Sequence, residues 1–323
     1  MTISTRVTDM LGITHPVLLA PMDLVSDGKL AKTVTQAGGL GIIGGGYGDE
    51  KWLSRELDAA GAARIGVGFI TWSMARNPRV LDLTLERQPI AIMLSFGEIL
   101  PHADKIKRTG ARLICQVQTL EQARDVVANG ADIIVAQGAE GGGHGISRGT
   151  FPFVPAVVDV AKDIPVVAAG GIADGRGLAA ALMLGAEGVL MGTRFYASSE
   201  AAGATEAKNR IVAASGDHTI RSILFDIARR NVWPAPYTGR LLENEFTARW
   251  RGREAELMQN QESEATRYST ARSANDFKMA GIIAGEAVDL VTEILPAAEI
   301  VERTVTEASR LISGASNRHK ITG

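Results

Sequence analysis

The chain has 323 residues, 46% of them hydrophobic, with 36 glycines and a formal net charge of −2. This length can form one large α/β domain or two smaller ones with sizeable cores, and the near-neutral charge gives no electrostatic reason to expect nucleic acid or an anionic membrane as partner. A single cysteine, Cys115, excludes an internal disulfide framework and any Cys-based zinc or iron–sulfur cluster. In the apolar run Arg-Leu-Ile-Cys-Gln-Val it reads as an inert core thiol rather than a nucleophile. The N-terminal segment has no uninterrupted apolar h-region, and no run approaches the ~20 apolar residues of a membrane span, so a soluble cytoplasmic protein is expected.

From residue 15 to 195, short apolar runs alternate with amphipathic helical stretches. The strand candidates are 15–21, 39–44, 64–70, 90–95, 112–117, 132–137, 164–169 and 188–192. They lack polar alternation, as expected of strands covered on both faces. Helix-like segments such as 29–37, 120–128 and 153–161 lie between them. Eight strands with regular crossovers predict an α/β fold of the (β/α)8 TIM barrel type; a doubly wound open sheet more often has five to seven. After Phe195 the texture changes. Residues 198–276 are polar, with 243–261 dense in Glu and Arg, and are expected to form a helical insertion or lid after the eighth strand. The barrel would then comprise 1–197 and 277–323, with amphipathic helices at 277–295 and 300–312 and a frayed tail at 313–323.

Two strand ends carry the strongest chemical signal: AAGGIADGRG (168–177) and MGTRF (191–195). Each opens a buried strand into a turn with bare backbone N–H groups, and 178–185 reads as the crossover helix between them. Exposed amides beside a helix N-terminus form an anion cradle, where the phosphate of a cofactor or substrate sits.

The remaining C-terminal strand ends are poor in charge. They hold no His, Asp and Glu cluster at metal-ligand spacing, so no metal is expected. They also hold no Gly-x-Ser-x-Gly elbow and no Cys–His pair. Backbone amides, glutamines, small residues, Met22 and one histidine suit a planar, polar, uncharged ring with a phosphate tail, that is, FMN. A lone histidine in a glycine-rich loop is ordinarily a surface residue. His144, however, follows three glycines on the catalytic face, where backbone can approach a ligand and imidazole can exchange a proton near neutral pH. Of the other four, His15 begins a strand at the opposite face, His102 and His218 lie on helix-like segments, and His319 is in the tail.

Several residues have a plainer reading. Gly39-Leu-Gly41-Ile-Ile-Gly44 matches a dinucleotide fingerprint, but its glycines fall within the strand rather than after it. Met22 could fill core as readily as touch a ring. Asp23 reads as a cap for a helix starting near Gly28, and Arg194 as a structural ion-pair residue. Trp233, Tyr237, Arg240 and Trp250 read as the core of the insertion, with one or two able to line a pocket mouth.

The ordered set APM (20–22), AGGLG (37–41), GVGF (66–69), AQGAEGGGHG (136–145), AAGGIADGRG (168–177) and GVLMGTRF (188–195) resembles the nitronate monooxygenase family, formerly called 2-nitropropane dioxygenases. Flavin-dependent enoyl-ACP reductases and some NAD(P)H:quinone reductases share that scaffold. The resemblance covers 10–200 well and the rest loosely. It implies that Gly170, Gly171, Gly192 and Thr193 hold the FMN phosphate, and that Met22, Gln116, Gln137 and Gly142 meet the ring or ribityl chain. Gly68 and Met191 join this cofactor-binding set, and His144 matches the family's catalytic histidine. The implied reaction is oxidation of alkyl nitronates by O2 to a carbonyl compound and nitrite. The alternative is a reductase passing hydride from NAD(P)H to a quinone or enoyl thioester. Many relatives carry Asn in place of Gly68, some carry Lys in place of Gln116, and Glu-Ala-Gly-Gly-His is more usual than Glu-Gly-Gly-Gly-His, which leaves the subclass open. A flavin-free barrel binding a phosphorylated metabolite would want a Lys or carboxylate pair at the strand ends, and none is found. Partners are a small-molecule substrate and O2; the oligomeric state, a homodimer included, stays open.

Overall fold

In a computed structural model, which describes residues 2–314, each of the eight apolar runs forms a parallel strand. These are β1 (Val17–Leu19), β2 (Ile42–Gly44), β3 (Gly66–Ile70), β4 (Ala91–Ser95), β5 (Arg112–Val117) and β6 (Ile133–Gln137). After β7 (Gly143–Gly145), which belongs to another sheet, come β8 (Val166–Ala169) and β9 (Gly188–Met191). The sheet runs β1-β9-β8-β6-β5-β4-β3-β2, and an isolated parallel bridge between Leu18 and Leu40 joins its two ends. The result is a TIM barrel. His319 and the tail beyond Gly314 lie outside the described residues.

Side-chain alternation divides the core in two. Leu18, Ile42, Met93, Ile114, Val135, Val167 and Leu190 fill the barrel, closed below by Val7 and Leu11 of the helix Arg6–Leu11. Val17, Ile43, Val67, Ile92, Leu113, Ile134, Val189 and Met191 face the surrounding helices. Aspartate or threonine side chains cap several of those helices, at Asp27, Asp49, Thr119 and Asp174. The cap expected of Asp23 therefore belongs to Asp27. The glycines of 39–44 pack helix on strand: a Cβ on Gly41 would lie 1.8 Å from the Ala31 carbonyl oxygen.

Residues 198–276 are mostly helical but also hold two strands, β10 (Thr219–Ser222) and β11 (Thr238–Leu242). β11 pairs antiparallel with β10 on one side and with β7 on the other, setting Gly239 opposite His144. The insertion is thus stitched to the loop that carries the histidine. It has its own core of Phe225, Phe246, Trp250, Leu257 and Tyr268, so Trp250 is structural.

Residues 277–295 do not form the expected amphipathic helix; they carry one 3₁₀ turn, Glu286–Leu290. Their backbone groups are committed to crossing the barrel mouth. The Leu242 amide donates to the Ile282 carbonyl (2.9 Å), the Gly285 amide to Thr193 Oγ1 (2.9 Å) and the Glu286 amide to the Glu140 carbonyl (2.9 Å). The second expected helix is present as Ala297–Ser313, packed on Gly175–Met183. Buried Arg194 is structural, but it donates to the carbonyls of Ala197 (3.0 Å) and Glu293 (2.6 Å) rather than to a carboxylate. Among the described residues no helix is long and apolar enough to cross a membrane.

Candidate active site

A cavity of about 410 Å³ opens at the C-terminal ends of the barrel strands, beneath the insertion. Its size suits a small organic ligand. Met22, Gly68, Gln116, Gln137 and Gly142 line it, as do Gly170, Gly171, Gly192 and Thr193 at one end and His144 at the other. Met191 is the exception. Strand alternation turns Leu190 to the cavity and sends Met191 outward among the helices, where it is buried.

One end of the cavity is an array of backbone amides. Gly170 and Gly171 adopt φ of +97° and +73°, which glycine takes without strain, and the turn leaves the Gly171 and Ile172 amides without a hydrogen-bond partner among the described residues. Opposite them, Thr193 and Arg194 begin the short helix Thr193–Tyr196, whose first amides have no partner inside the helix. The N-terminus of Gly175–Met183 does not take part, contrary to expectation. Asp174 accepts from the Arg176 (3.0 Å) and Gly177 (3.2 Å) amides, and Glu307 from the Gly175 amide (2.9 Å). Two carboxylates already occupy that helix end.

The middle of the cavity is neutral and polar. Ser95 donates to Gln116 Oε1 (3.0 Å), Gln116 Nε2 to Gln137 Oε1, and Gln137 Nε2 to the His144 carbonyl (3.0 Å). This chain of amides fixes the loop that carries the histidine. Gly68 contributes backbone alone: its carbonyl accepts from the Gly45 amide (2.7 Å), and a Cβ would lie 2.4 Å from Pro21. An asparagine there would displace Pro21. Met22 serves both of its readings, lining the cavity while packing against the core.

At the far end, His144 Nε2 lies 2.9 and 3.1 Å from the two carboxylate oxygens of Asp226, on the insertion helix Leu224–Arg229. The Trp233 ring stacks on the imidazole at a centroid distance of 3.4 Å and 6° between planes. Trp233 Nε1 donates to the Tyr47 hydroxyl (3.0 Å), and Phe96 stands edge-on to Trp233 at 5.0 Å. Phe96 holds a φ of +64°, costly for a bulky residue, at the Ser95-Phe-Gly97 strand end. Arg229 lies 3.6 Å from Asp23 and over the Tyr47 ring.

Burial pushes the His144 imidazole below its ordinary value of 6.5; Asp226 pulls it back up, and Arg229 and Arg221 push it further down. The imidazole is therefore neutral at pH 7. Burial raises the Asp23 carboxyl despite Arg229, and it drives the Cys115 thiol far above its usual range, consistent with an inert core cysteine.

His144 is legible in the sequence, whereas Asp226, 82 residues away, and Arg229 are not. No local spacing links Asp226 to His144; only the pairing of β11 with β7 brings the insertion over the loop. Trp233, read mainly as insertion core, lines the cavity.

Residues 70–307 match the model of the nitronate monooxygenase family. A nitronate monooxygenase of Metarhizium robertsii, npaC, is 37% identical, the match covering 92% of each chain. The structure of FabK from Thermotoga maritima superposes with a TM-score of 0.87 and 32% identity over 98% of this chain and all of that one. Nitroalkane oxidase from Streptomyces ansochromogenes does so with a TM-score of 0.81 and 25% identity over 97% of this chain and all of that one. With the amide cradle, the neutral polar floor and the buried histidine in one barrel mouth, these similarities identify the chain as a flavin oxidoreductase belonging to the nitronate monooxygenase family.

Proposed function

We propose that the protein binds FMN and oxidises alkyl nitronates with O2, giving a carbonyl compound and nitrite. The observation that carries this reading is the polarity of the cavity. Unpartnered amides of Gly171, Ile172, Thr193 and Arg194, a buried imidazole–carboxylate pair and the neutral side-chain amides of Gln116 and Gln137 share one cavity. The residues fit the group. The amides suit a phosphate, and the Gln116–Gln137 pair and Met22 offer polar and polarizable contacts to a planar ring.

When bound, the flavin supplies the electron transfer. The protein supplies placement and proton handling. Gln137 holds the His144 carbonyl and Trp233 holds the plane of its ring, so the imidazole faces the cavity at a fixed angle. Phe96, Trp233, Phe225 and Ile283 make the surrounding wall apolar, which suits a small alkyl group and excludes water around the reacting carbon. Two nitronates and one O2 yielding two carbonyls and two nitrites closes atoms and charge.

The likeness to FabK favours a second reading, a reductase drawing hydride from NAD(P)H. One experiment separates the two. The purified holoenzyme is mixed anaerobically with NADH, NADPH or propyl 2-nitronate while flavin absorbance is followed. Bleaching by the nitronate alone, with nitrite released once O2 is admitted, supports the oxidase. Fast bleaching by a reduced nicotinamide, with none by the nitronate, would replace it with the reductase. A protein that stays colourless after FMN is added would remove both.

A further inference from the structure

We propose that Asp226 is a positioning residue that makes Nδ1 of His144 the proton-accepting atom of the site. The inference rests on the reading of His144 as a base and assigns which of its two nitrogens acts and why. Nε2 lies within hydrogen-bond distance of both Asp226 oxygens. A carboxylate only accepts, so Nε2 carries the hydrogen and the neutral ring keeps its lone pair on Nδ1. Nδ1 has no hydrogen-bond partner among the described residues and is not buried, in a residue that lines the cavity. A ring flip would put Cε1 in the place of Nε2 and break the contact with Asp226, and the Trp233 face stacked at 3.4 Å opposes it.

The arrangement suits a step that precedes any oxidation. Nδ1 takes the α-proton of a neutral nitroalkane; the C–H bond breaks, its electron pair forms the C=N bond, and the negative charge moves onto the nitro oxygens. The new imidazolium is held across Nε2–H by the Asp226 carboxylate. The charged groups facing the ring are Asp226 and Arg229 on the insertion helix and Arg221 on β10. Both arginines oppose an imidazolium, and Asp226 alone favours it. The site could therefore form its own nitronate from a nitroalkane, and Asp226 would be needed for that substrate more than for a preformed nitronate.

A residue that only docked the insertion on the barrel would affect both substrates equally, which gives the test. In flavin-replete Asp226→Asn, kcat/KM for nitroethane is expected to fall by about 10²-fold, the lower end of what a positioned base contributes. For ethyl nitronate it should change by no more than about fivefold, since that substrate needs no base. Asp226→Glu should restore part of the nitroethane rate. Equal losses on the two substrates would overturn the proposal. An independent readout uses the unaltered protein: long-range ¹H–¹⁵N spectra of histidine-labelled enzyme, with His144 assigned from His144→Gln. The Nε2–H tautomer is expected in the wild type and a mixture in Asp226→Asn. An Nδ1–H tautomer in the wild type would also overturn the proposal. Unchanged nitroethane turnover in His144→Gln would instead remove the base reading itself, a different result from equal losses at Asp226.

Discussion

The two walls of the cavity are built from different material. The barrel rim presents backbone amides, glycines and an amide pair, Gln116 and Gln137, and almost no charge. The insertion presents Asp226, Arg229 and Trp233, all within one short helix and the turn after it. Backbone amides are fixed by the fold and bind an anion whatever its attached group, whereas side chains on an added segment can change without disturbing the barrel. The rim is thus the part suited to holding a cofactor, and the insertion the part suited to choosing the substrate and setting the proton chemistry. If this division is right, rim substitutions should change flavin content and insertion substitutions should change kinetics with flavin retained.

The largest effect is expected where the walls meet. His144 sits on rim strand β7 but takes its partners from the insertion. His144→Ala should lower kcat/KM for a nitroalkane by about 10²- to 10⁴-fold, the range of general-base catalysis, while the purified protein keeps its flavin absorbance. Loss of flavin together with activity would break the division. Next in size is the cradle. Gly171→Val forces a β-branched residue to a φ of +73° with Glu140 Cβ 3.2 Å from the new Cβ. Strain of about 1–3 kcal/mol at such a position should weaken FMN binding by about tenfold to a hundredfold, read by titrating deflavinated protein. Turnover per bound flavin should stay near that of the unaltered enzyme.

The same division marks how far the sequence could be read. Strands covered on both faces are continuous apolar runs, so all eight were legible, and glycines at two successive strand ends pointed to the amide cradle. The free helix N-terminus expected beside it was a misreading that Asp174 could have prevented: an aspartate directly before a helix takes its first amides for itself. The parity that turns Met191 outward was likewise readable, since neighbouring strand residues face opposite ways. Other features were not readable. Residues 277–295 are apolar enough for a helix, but their backbone bonds go to Glu140, Thr193 and Leu242, partners set only by the assembled fold. Asp226 stands alone as an acid in the apolar stretch Leu-Phe-Asp-Ile-Ala, and nothing in that stretch names His144 as its partner until β11 pairs with β7.

Trp233 offers a smaller effect that sharpens the insertion's role. Its ring stacks on His144 and forms part of the apolar wall. Trp233→Ala should raise KM for a nitronate by about threefold to tenfold, the scale of one lost aromatic pair. It should also permit some ring rotation at His144, visible as a mixed tautomer in the same ¹⁵N spectra. An unchanged KM with lost flavin would move Trp233 to the cofactor side of the cavity.

The smallest expected change is in pH dependence, and its sign follows from the charges around the imidazole. With neutral His144 as the base, activity on a nitroalkane is expected to fall as pH drops through the His144 pKa, which burial holds below the ordinary 6.5. Arg229 disfavours the imidazolium and contributes to that depression. Arg229→Gln removes a positive charge, stabilises the imidazolium and raises the pKa, so the acid limb of kcat/KM should move to higher pH. Activity well above the limb should be unchanged, and no such limb should move for a preformed nitronate. Asp226→Asn acts in the opposite sense: losing the negative partner moves the limb to lower pH, because Asp226 is the group that raises the pKa. Two insertion substitutions three residues apart on one helix should therefore shift one barrel histidine in opposite directions, with the flavin spectrum unchanged in both. Shifts of the same sign would mean that the helix acts on His144 through packing rather than charge.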